Sequence, residues 1–109
     1  SVGLRVMIAA FSVAPTVTPE SSAEMSAAVA RAVRVVRESG LPNETNAMFT
    51  TIEGEWDEVM DVIKRATAAV EEVSPRVSLV IKADIRPGYT NMMTQKIESL
   101  NKHFEGEGQ

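Results

Sequence analysis

The chain has no cysteine, a single histidine, one tryptophan and one tyrosine. Its apolar stretches all fall short of the about 20 residues a membrane-spanning helix takes. Without cysteine there is no disulfide, no thiolate nucleophile and no Cys-based metal site, which fits a reducing compartment; a cytoplasmic location is the expectation. His103, the only histidine, stands beside Phe104 close to the C-terminus, so a Ser-His-Asp triad is not expected. Phosphate-binding glycine loops are missing too, since Gly54 stands alone and Gly88 follows a proline. The eleven basic residues are scattered and the formal net charge is -4, which leaves no electrostatic footprint for nucleic acid. No nucleic-acid or membrane partner and no cofactor is expected.

What is present suits one packed domain. At 109 residues, 44% hydrophobic and 24% charged, the chain can bury a single core. The expectation is one domain over residues 1–109, ordered over about 5–104, with a flexible tail at 105–109.

Arg5 to Ala14 has the length and composition of a strand, with Met7, Ala9, Phe11 and Val13 on one face and Ile8, Ala10 and Ser12 on the other. "PTVTP" (15–19) breaks it. Ser21 and Glu24 have capping-box spacing, and Met25, Val29, Ala32, Val33 and Val36 follow at helical steps up to Gly40, a left-handed stop. Asn43 to Met48 and Thr50 to Glu53 read as two short strands around a bend at Met48 and Phe49. Gly54 is expected to cap a helix whose stripe is Val59, Ile63, Ala66, Val70 and Val73. After Ser74 and Pro75 comes an alternating strand, Arg76 to Arg86, with Val77, Leu79, Ile81, Ala83 and Ile85 on one face. "RPGYTN" (86–91) reads as a loop, and Met93 to Phe104 as a third helix burying Ile97 and Leu100. The order β-α-β-β-α-β plus one helix is that of an α+β ferredoxin-like fold: an antiparallel sheet with two helices on one face. The other face must be wet or covered by another subunit.

Glu55, Asp57, Glu58 and Asp61 contain the carboxylates of a cation site or an acid-base pair. Their place in a first helical turn, with Lys64 and Arg65 following, is better explained by the helix dipole and by pairing along the helix. The methionines are mostly core filler, with Met92 and Met93 able to cover a pocket edge. The remaining signal is the open sheet face, where alternation gathers Ser12, Asn46, Thr51, Glu53, Lys82 and Asp84. Donors and acceptors of both signs over an apolar surface suit a small, flat, polar-edged ligand better than a reaction. They equally suit an intersubunit contact.

The stretch "TTIEGEWDEVMDVIK" (50–64), preceded by "ESGLPNETNAMF" (38–49), with "IAAFSVAP" (8–15), "VIKADIRPG" (80–88) and "QKIESL" (95–100), resembles the YkoF-like, thiamine-binding-protein family of small ferredoxin-like proteins. The resemblance runs over about residues 6–102. It implies a homotetramer, or at least a homodimer, and a non-enzymatic pocket for thiamine or its hydroxymethylpyrimidine portion. An aminopyrimidine needs an acceptor for its exocyclic amine, a donor for its ring nitrogen and a flat surface. On that basis Asp84 is the acceptor, Thr51 and Ser12 supply hydroxyls, Asn46 can do either job and Phe49 can stack, with Glu53 and Lys82 completing the set. The alternative is a structural or regulatory homo-oligomer whose open face is interface only. An enzyme acting on a thiamine breakdown product would need Asp84 or Glu53 as its base.

Overall fold

The computed structural model describes residues 5–16, 22–87 and 92–107. Its elements are β1 (Arg5–Pro15), α1 (Ser22–Glu38), β2 (Asn43–Thr45), β3 (Thr50–Glu55), α2 (Trp56–Glu71), β4 (Val77–Pro87) and α3 (Met92–Glu107). The sheet order is β2-β3-β1-β4, and every neighbouring pair is antiparallel. This is the expected ferredoxin-like α+β fold. Among the described residues no helix is long and apolar enough to cross a membrane.

The strand parity of β1 holds. Met7, Ala9, Phe11 and Val13 are buried under α1 and α2, together with Ile52 of β3 and Val59, Val62, Ile63, Ala66 and Val70 of α2. The pairs Ala9↔Ile52 and Phe11↔Thr50 put Thr50, Ile52 and Gly54 on this helix-bearing face, leaving Thr51 and Glu53 on the opposite, open face.

Several local expectations need correction. In α1 the buried stripe is Ala28, Ala32 and Val36, while Val29 is exposed and Met25 and Val33 are half-buried. Small alanines let α1 approach α2 closely, which turns the larger side chains outward. Gly54 does not cap α2; it lies inside β3, where an added Cβ would stand 3.2 Å from both Leu41 and Val59. The cap is Glu55, whose carboxylate accepts from the amides of Asp57 (2.9 Å) and Glu58 (3.4 Å). Gly40 closes α1 at φ 78°, as its position suggested.

β2 stops at Thr45, shorter than expected, because the chain turns at Asn46. The ladder nonetheless extends at its other end, where the Glu53 amide donates to the Pro42 carbonyl at 2.9 Å. β4 runs from Val77 to Pro87, one residue past the expected strand end at Arg86, and α3 runs to Glu107, past the expected end at Phe104. Ile97 and Leu100, expected to be buried, are exposed, because no described element packs on that side of α3. Ser21, most of the 15–19 loop and residues 88–91 lie outside the described residues.

Candidate functional site

The register of β1 with its two neighbours fixes the open face row by row. Ala10 pairs with Thr51 on one side and Lys82 on the other; Ile8 pairs with Glu53 and Asp84. Neighbouring strands lie about 4.8 Å apart and side chains two residues apart along a strand about 7 Å. The four polar residues therefore frame a patch of about 10 by 7 Å, floored by Ile8 and Ala10. The frame is asymmetric, with two carboxylates across Ile8 and a hydroxyl facing an ammonium across Ala10. Ser12, opposite Val80, extends the floor by one row.

The frame is not uniformly exposed. Glu53 is only 5% accessible, whereas Thr51 and Asp84 are half-buried and Lys82 is exposed. Glu53 and Asp84 each have an interaction partner, and among the described residues no buried side-chain polar atom lacks one. The face thus closes toward Glu53 and opens along Ala10 and Ser12.

Asn46 is committed to the bend. Its carboxamide oxygen accepts from the backbone amides of Met48 (2.8 Å) and Phe49 (3.0 Å), and its backbone N–H donates to the Phe49 carbonyl at 3.0 Å. This closed turn leaves Met48 at the tip, 73% exposed, and sets half-buried Phe49 directly ahead of Thr50, which pairs with Phe11 next to Ser12. The register therefore brings Ser12, Thr51, Glu53, Lys82 and Asp84 to one face, with Phe49 one residue ahead of β3. The bend gives Asn46 a supporting place behind Phe49.

Other candidates resolve structurally. Asp57 and Glu58 are exposed in the first turn of α2 behind the Glu55 cap, and Asp61 pairs with Arg65 at 2.9 Å. No group of three or more metal-capable side chains occurs among the described residues. His103 is exposed on α3. Of Met92 and Met93 only the backbone is described.

Sequence reasoning missed one concavity. An open groove of about 700 Å³ runs along α1 beside β2, lined by Met25, Val29, Val33, Arg34 and Thr45 among others. Its apolar floor consists of side chains that periodicity had assigned to the core. The four-residue spacing of Ala28 and Ala32 was the signal that a second, inner stripe existed. None of the open-face residues lines this groove.

Comparison with known proteins agrees with the fold and narrows the setting. A UPF0045 protein of Mycobacterium tuberculosis is 52% identical over 99 residues, covering 90% of this chain and 94% of the relative. A crystal structure of a Methanocaldococcus jannaschii protein superposes with a TM-score of 0.78 at 31% identity, covering 90% of this chain and 98% of the other. A Thermotoga maritima structure, provisionally assigned to thiamine biosynthesis or salvage, has a TM-score of 0.72 at 22% identity, covering 86% and 98%; at that identity it shows the fold alone. A family profile described as "Thiamine-binding protein" matches residues 9–101, which is most of the chain, and the chain belongs to that family.

Proposed function

We propose that this protein binds thiamine or its hydroxymethylpyrimidine portion on the open sheet face, without catalysing a reaction, as a cytoplasmic homo-oligomer. The observation that carries the reading is the frame of Thr51, Glu53, Lys82 and Asp84 around Ile8 and Ala10, in a chain of the thiamine-binding family. A patch of about 10 by 7 Å matches one planar heteroaromatic ring with its substituents. The small side chain of Ala10 lets the ring lie close to the sheet, with Ile8 offering an apolar surface beside it.

The chemistry of the frame fits the ligand's edges. A carboxylate at Asp84 accepts from the exocyclic amine, and the Thr51 hydroxyl or the Lys82 ammonium donates to a ring nitrogen. Thiamine also carries a fixed positive charge, which the Glu53 and Asp84 side of the frame complements. Ser12 can meet a hydroxyl, and Phe49 offers an aromatic face. Asn46 acts through the bend.

The test is calorimetric titration of the purified protein with thiamine and, separately, with hydroxymethylpyrimidine. Saturable binding that is reduced at least tenfold in Asp84→Ala and in Thr51→Val supports the reading. An assembled wild-type protein that takes up neither compound refutes it.

One observation favours a second reading, in which this face is interface only. Val80, an apolar residue beside Ser12 on the open face, is 54% exposed. Val80→Lys separates the two: it lowers the mass of the assembly if the face is buried between subunits, and leaves the mass unchanged if the face serves only a ligand.

A further inference from the structure

α1 carries more apolar side chains than the core takes in. Its inner stripe, Ala28, Ala32 and Val36, is buried, whereas Met25, Val29 and Val33 stand on the outer side at steps of four. Residues four apart are neighbours on a helix surface, so these three form one ridge about 12 Å long at the helical rise of 1.5 Å per residue. The inner side of α1 meets α2 and β1, and β2 touches the helix only slightly. The outer ridge is therefore left uncovered among the described residues: Val29 is 38% exposed, and Met25 and Val33 are half-buried. With Thr45 of β2 as its other wall, the ridge floors the groove of about 700 Å³, a volume typical of small-molecule sites.

The ridge ends in charge. One step beyond Val33 it reaches Arg37, and Arg34 stands beside it; both line the groove and both are exposed. Neither side chain has an ion pair or hydrogen bond among the described residues. Arg31, one turn earlier, is by contrast held by the Ala69 carbonyl and by Glu72. The Thr45 hydroxyl is engaged with that of Thr50 at 3.1 Å, and Glu38 is the single acidic residue on the lining. Cations near a helix C-terminus are favoured by the dipole whatever they bind. The dipole does not explain why two unpaired guanidinium groups close one end of an uncovered apolar ridge, on a chain of net charge -4.

We propose that this groove binds a linear amphiphile with a carboxylate head, a medium-chain fatty acid. Its alkyl chain lies along Met25, Val29 and Val33, and its carboxylate sits between Arg34 and Arg37. Guanidinium groups present parallel N–H donors that match the geometry of a carboxylate, whereas a cationic head would meet two like charges. The shape selects an unbranched chain. One wall is a helix and the other is little more than Thr45, so a partner helix about 10 Å wide would find no second wall to pack on. The groove shares no residue with the frame of Ser12, Thr51, Lys82 and Asp84, and the proposal stands whether or not thiamine binds.

Decanoate, whose extended chain has about the length of the ridge, is the probe. Below its micelle concentration it is titrated into the wild-type protein and followed by calorimetry and by backbone amide NMR shifts. The expected result is saturable binding with shift changes centred on residues 25–37, and an affinity at least tenfold lower for decanol and for decyltrimethylammonium. Arg34→Gln/Arg37→Gln should lower decanoate affinity at least tenfold and leave decanol unaffected, and Val29→Glu should weaken both. Glu38→Gln removes the carboxylate that repels the head and should tighten decanoate binding, a gain that a misfolded variant cannot produce. Val29, Arg34, Arg37 and Glu38 are exposed and lie outside the core, so the variants keep their fold, checked by far-UV circular dichroism. No saturation at millimolar decanoate overturns the proposal. So do equal affinities for decanoate and decanol, a double arginine variant that binds decanoate like wild type, or shift changes centred on the open sheet face.

Discussion

The Asn46 carboxamide oxygen receives two successive amides, those of Met48 and Phe49, and thereby fixes the bend that leads through Phe49 into β3. An aspartate can accept the same two bonds, because both residues form this type of turn, whereas alanine cannot. Asn46→Ala is therefore expected to cost about 1 kcal/mol in urea unfolding, the net worth of about one hydrogen bond in an exposed bend, and to weaken thiamine uptake. Asn46→Asp should restore both. An Asp variant that unfolds like wild type but binds as poorly as Ala would show instead that the carboxamide touches the ligand. Gly54 makes a different demand on its neighbours, since the space for a side chain there is taken by Leu41 and Val59. An alanine would need those two side chains to give by a few tenths of an ångström, but a valine would overpack the joint between β3 and α2. Gly54→Val should destabilise the fold by about 1–3 kcal/mol, read as a lower urea midpoint with an unchanged slope.

At the scale of elements, α2 is held at both ends by groups outside its own apolar stripe. Its N-terminus is capped by the Glu55 carboxylate, and its last turn carries no basic residue of its own. The missing cation comes from α1: Arg31 donates from Nε to the Ala69 carbonyl at 2.9 Å and pairs with Glu72. Both partners of that pair are well exposed, so Arg31→Ala should cost only about 0.5–1 kcal/mol. Glu55→Ala, which leaves two first-turn amides without their acceptor, should cost about 1 kcal/mol. Equilibrium urea unfolding of the two variants checks both the size and the order.

The same elements show what could be read from the sequence. Alternation placed the strands β1 and β4, and in β1 and α2 the pattern also placed the core as far as Val70, because each has a single periodicity and one face to bury; Val73, past the end of α2, is 55% exposed, and Leu79, Ile81 and Ile85 of β4 are exposed at the margin of the helix layer. α1 was harder: it carries two apolar stripes, and the pattern names Met25, Val29 and Val33 as readily as Ala28 and Ala32. Which stripe turns inward depends on how closely α2 approaches, a tertiary fact. Ile97 and Leu100 misled for a related reason, since an amphipathic seam marks an apolar stripe but not whether an element of the fold packs on it, and here both are exposed. Of the open face, Ser12, Thr51, Glu53, Lys82 and Asp84 followed from parity alone. The supporting place of Asn46 did not, because its hydrogen bonds run within a turn whose geometry alternation does not encode.

The whole molecule is a broad, thin plate, 51 × 43 × 20 Å, with its core of β1, β3, α1 and α2 at one level and α3 contributing little to it. If copies of the chain associate, as proposed with the ligand-binding reading, mass action makes part of its stability depend on protein concentration, because association with the folded state alone pulls the unfolding equilibrium toward that state. The melting temperature is then expected to rise as the protein is concentrated, and a midpoint independent of concentration would refute the association. A ligand acts through the same linkage. Saturating thiamine, at about 100 times its dissociation constant, adds about 2.7 kcal/mol, and should raise the midpoint by similar amounts at low and high protein concentration. If the increment from thiamine appeared only at the high concentration, the ligand site would have to be completed across subunits. Differential scanning calorimetry at two protein concentrations, with and without thiamine, reads all four arms in one experiment.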